Sequence, residues 1–213
     1  MDILTDNQKH LLRLLSKVPF FKYNFYLTGG TTLAHFYLQH RLSEDLDFFT
    51  GEPNVVRQAI SEVQSLAQSH SFSVEVTRVF ESFGECYVIF QDERIKVQFA
   101  HDSPYRLEPK VFVEEYGLYI DNLTDISCNK LSALFDRFEP KDFVDVYFIH
   151  KEKMPLENLI PLAKKKHVGF DEYWLARAFF RVKQIEFLPR MIKPVTQNEL
   201  KDFFLSYAEK LIN

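Results

Sequence analysis

At 213 residues, 46% hydrophobic and 26% charged, the chain is long enough for one sizeable domain or two small ones, and its composition excludes a disordered protein. The 22 phenylalanines and 10 tyrosines predict a large aromatic core. A formal net charge of -4 excludes a broad basic field, so any nucleic-acid contact has to use a local patch.

In chain order, Thr5 to Lys17 gathers Leu11, Leu12, Leu14 and Leu15 on one side and predicts an amphipathic helix that Pro19 ends. Asn24 to Thr28 predicts a short apolar strand. Gly29-Gly30 turns it into a helix in which Leu33, Phe36 and Tyr37 recur at helical spacing. Asp45 to Thr50 (DLDFFT) predicts a strand, punctuated by Gly51-Glu52-Pro53. A helix to about His70 follows, with Val56, Ile60, Val63 and Ala67 as its apolar stripe. FSVEVTRVF, ECYVIFQ and RIKVQFA alternate inward and outward residues and predict a β-meander; Pro104 and Pro109 mark a loop. From Leu123 onward the pattern is helical, with candidates at 124–138, 140–150, 156–167, 171–183 and 196–211. The fold class is α+β: a mixed sheet with flanking helices over residues 1–120, then a helical region over 121–213.

Cys86 and Cys128 have neither CxxC nor Cys–His spacing, which excludes a zinc site or disulfide scaffold and suits a reducing compartment. No segment has the character of a secretory leader, and no run approaches the ~20 apolar residues of a membrane helix. The expectation is a cytoplasmic protein without a membrane partner. GxSxG, HExxH and GxxxxGK[ST] are all absent, so serine hydrolysis, zinc proteolysis and P-loop chemistry are not indicated.

The stretch LTGGTTLAHFYLQHRLSEDLDFFT carries the chemistry. Residues two apart on a strand share a face, so Asp45 and Asp47 point together while Leu46 and Phe48 face the core. Adjacent carboxylates repel unless a cation lies between them, and oxygen-only ligation favours Mg2+ or Mn2+. The Gly29-Gly30 turn opens a helix whose first N–H groups can hold an anion, with Thr31 and Thr32 adding hydroxyls. Either feature alone is common as a turn or a solvated strand edge. In this order they are the equipment for phosphoryl or nucleotidyl transfer.

A second block, NKLSALFDRFEPKDFVDVYFI, places Lys130 on the exposed flank of a helix with Arg137 seven residues on. Pro140 suits the first turn of the next helix, where Asp142 and Asp145 share a face. Read alone, these are a surface ion-pair set.

Together the two blocks resemble the AbiEii/AbiGii toxin family of bacterial nucleotidyltransferases. The match lies in Gly-Gly-Thr-x-Leu, His-Arg-x-Ser and Asp-x-Asp, then Lys-Leu-x-Ala-Leu-x-x-Arg and Lys-Asp-x-x-Asp-Val-Tyr. The resemblance implies a DNA-polymerase-β-like nucleotidyltransferase core whose active-site cleft the helical region completes. It implies Asp45 and Asp47 as ligands of Mg2+ (or Mn2+), and Gly29, Gly30 and Thr31 as a cradle for the triphosphate of an NTP. Arg41 and Ser43 would brace the turn beside the nucleotide, Lys130 would neutralise phosphate charge, and Asp142 or Asp145 would orient or deprotonate the acceptor. It further implies a toxin–antitoxin or phage-defence pair, with a cognate antitoxin as partner and RNA, such as a tRNA end, as an acceptor.

One position departs from the pattern. Related cores take a third carboxylate from a later strand, and the aligned residue in RIKVQFA is Gln98; Glu75, Asp102, Asp142 and Asp145 are the candidate substitutes. Two alternatives stay open: a degenerate nucleotide-binding module, which Gln98 favours, and a nucleotidyltransferase acting on a small molecule.

Overall fold

The computed structural model describes residues 2–91 and 93–212. They form two compact units. One runs to His35 and takes in Ser43–Asn122; the other joins Phe36–Leu42 to the chain from Leu123 onward. The sequence reading drew one boundary near residue 120, whereas the short segment 36–42 groups with the later helices.

In the first unit, α1 (Asp6–Ser16) opens on a capping box in which Thr5 and Gln8 cap each other's backbone N–H, and it buries Leu11, Leu12, Leu14 and Leu15. Pro19 ends that helix and also begins another, α2 (Pro19–Asn24), which the sequence reading did not foresee. Proline has no N–H to lose in a first turn, so one residue serves as stop and start.

There follow β1 (Tyr26–Thr28), α3 (Gly29–Thr32) running into a π-helical turn over Leu33–Leu38, β2 (Leu46–Thr50) and α4 (Val56–Ser69). Then come β3 (Ser73–Val79), β4 (Phe83–Ile89), β5 (Arg94–His101), β6 (Val111–Val113) and β7 (Leu118–Ile120). Among the described residues they make one seven-stranded sheet in the order β3-β4-β5-β2-β1-β7-β6. It is mixed: β2 runs parallel to β5 and antiparallel to β1, and β1 runs parallel to β7. The β6–β7 hairpin was missed because its three-residue strands are too short to show alternation.

One sheet face is the core. Leu46, Phe48, Cys86, Val88, Val97 and Phe99 are buried there, with Phe48 and Phe21 stacked on Phe99 at 5.4 and 5.7 Å. Val56 and Ile60 of α4 cover the same face and pack within 3.2 Å of where a Cβ on Gly84 would lie. Burial pushes the Cys86 thiol up to about 12, so it behaves as a small apolar side chain.

The second unit consists of α5 (Leu123–Asp136), α6 (Pro140–Glu152), α7 (Leu156–Lys166), α8 (Glu172–Phe180) and α9 (Gln197–Ile212). Phe204 of α9 meets Phe143 of α6 and Phe179 of α8, each at 5.0 Å. Residues 40–42 are tied into this unit by backbone bonds: Leu42 N–H donates to the Arg190 carbonyl (2.8 Å), and Ile192 and Lys193 N–H to that of His40 (2.9 and 3.0 Å). No helix among the described residues is long and apolar enough to cross a membrane.

Candidate active site

The solvent-side face of the sheet places the first motif. In the parallel register of β2 on β5, Asp47 lies beside Gln98, and in the antiparallel register of β4 on β5, Gln98 lies beside Glu85. Two residues before Asp47, just ahead of β2, Asp45 meets Lys96, whose Nζ is 3.2 Å from Asp45 Oδ2. Two aspartates, a lysine, an amide and a glutamate thus line adjacent positions of three strands. Leu46 and Phe48 face the opposite way and are buried.

Gly29 closes this row from the β1 side. Its φ is +75°, a region that side chains avoid, and a Cβ added there would sit 2.1 Å from Asp47 Oδ2. Only glycine lets the start of α3 press its backbone onto that carboxylate. Thr31 is buried, with its hydroxyl on the Asp45 carbonyl and paired with the Ser43 hydroxyl at 2.9 Å. Thr31 and Ser43 therefore fix the loop carrying Asp45. With the Thr31 hydroxyl so engaged, the donors left at this turn are backbone N–H groups and the buried Thr32 hydroxyl, whose Oγ1 meets no hydrogen-bond partner among the described residues.

Two residues of the row escaped the sequence reading. Lys96 and Gln98 are two apart on one strand, as Asp45 and Asp47 are on the next, so the same period-2 argument would have found Lys96. Glu85 needed the β4–β5 register, which the sequence did not give. It accepts from Gln98 Nε2 at 2.6 Å and from the Thr77 hydroxyl at 2.8 Å. The Thr77 bond, helped by Gln98 and opposed by partial burial, holds its carboxyl below the usual range. Burial alone would lower Lys96, but Asp45, with Glu85 and Asp47, outweighs it and raises the ammonium. Of the candidate substitutes for a third carboxylate, Glu75 is on β3 with Arg94 at 2.8 Å, and Asp102 lies past the end of β5 with its N–H on Thr50. Glu85 is the carboxylate that touches Gln98.

The second motif corrects the sequence reading. Lys130, expected on an exposed flank, is 6% exposed, and Asp142 and Asp145 are wholly buried. Lys130 Nζ lies 3.0 Å from Asp142 Oδ1 and 2.8 Å from Asp145 Oδ2. Arg41 grips Asp145 with two parallel bonds of 2.7 and 2.9 Å, and Arg137 does the same to Asp142 at 2.7 and 3.1 Å. Of the expected surface ion-pair set, Lys130, Asp142 and Asp145 are buried, because α6 turns this face inward onto residues 40–42, and only Arg137 reaches them from the surface.

Burial works to raise Asp145, but Arg41 and Lys130 overcome it and hold the carboxyl well below the usual range. Asp142 is lowered against the same penalty by Lys130 and Arg137. Lys130 is held up by the two aspartates despite its burial. His40 Nε2 is 2.7 Å from Asp145 Oδ1, while its buried Nδ1 meets no partner. Burial, only partly offset by Asp145, lowers this imidazole. Carboxylates so firmly ionised are weak proton acceptors.

Among the described residues no group of three or more His, Cys, Asp or Glu side chains is arranged to hold a metal. The Asp45–Asp47 pair still fits Mg2+ or Mn2+. Such ions are commonly held by one or two carboxylates, with water and substrate phosphate completing the oxygen shell. The Gly29 backbone, set against Asp47, would offer a neighbouring place for an anion.

The family model for the nucleotidyl transferase AbiEii toxin, a type IV toxin–antitoxin system, matches residues 13–212. This chain belongs to the AbiEii nucleotidyltransferase toxin family. An Aquifex aeolicus (strain VF5) protein is 33% identical over 157 residues, covering 70% of this chain and 68% of its own. A candidate nucleotidyltransferase from H. pylori superposes with a TM-score of 0.65 at 18% identity, over 98% of this chain and 96% of that one. MenT4, a nucleotidyltransferase toxin of Mycobacterium tuberculosis H37Rv, gives 0.60 at 19% identity, over 97% and 82%. These structures share the fold, a mixed nucleotidyltransferase-like sheet with flanking helices.

Proposed function

We propose that this AbiEii chain is a Mg2+-dependent (or Mn2+-dependent) nucleotidyltransferase that uses a nucleoside triphosphate and transfers the nucleotide to RNA, such as a tRNA end. In this reading it is the toxin of a pair that a cognate antitoxin restrains. The observation that supports it most is Asp47, flanked by the Gly29 backbone on one side and Gln98 on the other.

In the proposed reaction an acceptor hydroxyl attacks the α-phosphorus in line. The new O–P bond forms as the bond to the β-phosphate oxygen breaks, the hydroxyl proton passes to solvent water, and pyrophosphate departs. The metal, when bound, supplies charge neutralisation across the phosphates. Asp45 and Asp47 hold it, and the backbone of Gly29, Gly30 and Thr31 cradles phosphate oxygens. The rate then comes from positioning and charge stabilisation.

For the second motif the proposal is narrower than the sequence reading. Asp145, Arg41 and Ser43 act as braces for the turn. Lys130 is proposed to contact the triphosphate and Asp142 the acceptor, which requires their mutual ion pair to open. The deciding experiment incubates the protein with each labelled NTP, Mg2+ and total cellular RNA. Label in RNA, lost in Asp47→Asn, supports the reading. Mg2+-dependent NTP binding with no label in any acceptor would make the protein a binding module, and label in a small molecule alone would move the acceptor class.

A further inference from the structure

We infer that Lys96 is a built-in counter-cation of the metal site, which the incoming metal displaces and the triphosphate receives; the inference rests on the nucleotide-binding reading above. Lys96 projects from β5 on the same face as Asp47, and its ammonium lies 3.2 Å from Asp45 Oδ2. Both partners are part-exposed, with side chains 28% and 38% accessible, so the pair can open at modest cost. It therefore differs from the Lys130 cluster, whose members are almost fully enclosed.

A divalent cation seated on Asp45 and Asp47 occupies the space that answers the same negative charge. Two like charges cannot share one carboxylate oxygen a few ångströms apart without strong repulsion. The ammonium must swing away, and its four-carbon stem lets it do so without backbone movement. The anion nearest to receive it would be the phosphate chain of the bound nucleotide. The Gly29–Thr31 turn that would hold that chain lies against Asp47, at the next strand position from Asp45 on the same face.

Two consequences follow. Without nucleotide, metal binds weakly, because it must displace Lys96 and finds only two protein carboxylates. With nucleotide, metal binds tightly, because phosphate oxygens complete the shell and the displaced ammonium gains a new partner. Lys96 thereby couples metal and triphosphate binding, and by linkage each raises the other's affinity by the same factor.

The test is an Mn2+ titration by electron paramagnetic resonance on the full chain, alone and with each of the four α,β-methylene NTP analogues. Wild type, Lys96→Met and Lys96→Arg are compared, with circular dichroism melts to establish that each is folded. In wild type, at least one analogue should tighten Mn2+ binding by about tenfold or more. Lys96→Met should bind Mn2+ alone about fivefold tighter, as one fewer competing charge implies. It should also bind the analogue more weakly and lose most of the coupling, whereas Lys96→Arg should keep it. If Lys96→Met matches wild type in both its Mn2+ affinity and its coupling, the inference is overturned while the function stands. If neither protein binds Mn2+ with any analogue, both fall.

Discussion

The two acidic pairs of this protein are built to opposite standards. Asp142 and Asp145 are wholly buried and gripped by Lys130, Arg41 and Arg137, every contact between 2.7 and 3.1 Å. Asp45 and Asp47 sit on a half-open sheet face, and the ion pair at Asp45 is a part-exposed lysine at 3.2 Å. A saturated buried network resists change, since removing one partner strands the others. A part-exposed pair can exchange partners more readily. The difference teaches that acidic motifs alike on paper divide, once folded, into one that can exchange partners readily and one that can do so only when a buried ion pair opens.

The largest expected effect breaks the buried side. Asp145→Ala leaves Arg41, Lys130 and His40 facing a cavity without their carboxylate, and should cost on the order of 3–5 kcal/mol in a urea melt. A loss below about 1 kcal/mol would show that the network is not structural.

Next comes Gly29→Ala. The left-handed φ and the collision with Asp47 Oδ2 act together. A strained backbone position of this kind costs about 1–3 kcal/mol. The displacement of Asp47 should also weaken metal-dependent nucleotide binding at least tenfold, measured by calorimetry. An alanine variant that binds normally would mean the turn does not support the site.

The buried network also predicts an acid signature. The folded pKa of His40 is depressed below 6.5, so the folded state binds fewer protons than the unfolded chain just below that pH. Its contribution to stability is full above 6.5 and is lost as pH falls through the window beneath it. Asp142 and Asp145, lowered from 3.8, contribute fully above that value and fade below it. The melting temperature should thus decline in two stages on acidification. His40→Gln should reduce the first stage, leaving the part due to His35 and His150, which burial also lowers. An unchanged slope would reassign it to those two residues.

The smallest effect sharpens the sheet side. Gln98→Asp alone sets a second carboxylate against Glu85, which now accepts from the Gln98 amide at 2.6 Å. Repulsion between the two should cancel much of any gain in metal affinity. Adding Glu85→Gln restores a donor between the strands, so the double variant should bind Mn2+ severalfold more tightly than either single one. Additive behaviour would mean the two side chains do not act together.

Much of the sheet site was legible in sequence because strand alternation is a two-residue rule. Asp45, Asp47, Leu46 and Phe48 could be assigned to faces without knowing any partner strand, and Gln98 could be placed beside them. Lys96 was available to the same rule. Glu85 was not, since its place depends on which strand lies beyond β5 and in what register. The burial of Lys130 was also hidden. Its helix carries apolar residues around most of its circumference, and the face that looked free meets α6 and residues 40–42, contacts that arise only in the folded chain. The π-helical turn at Leu33–Leu38 and the β6–β7 hairpin carried no periodic signal long enough to read.

The most direct test compares Asp47→Asn with wild type in two assays on the same preparation: a thermal melt and calorimetric titration of Mg2+ with each NTP analogue. The account predicts a melting temperature within about 2 °C of wild type, because a part-exposed carboxylate contributes little to stability. It also predicts loss of metal-dependent nucleotide binding. A variant that unfolds, or one that binds Mg2+ and nucleotide as wild type does, would contradict it, because the Asp45–Asp47 pair would then be holding the fold and not the ligand.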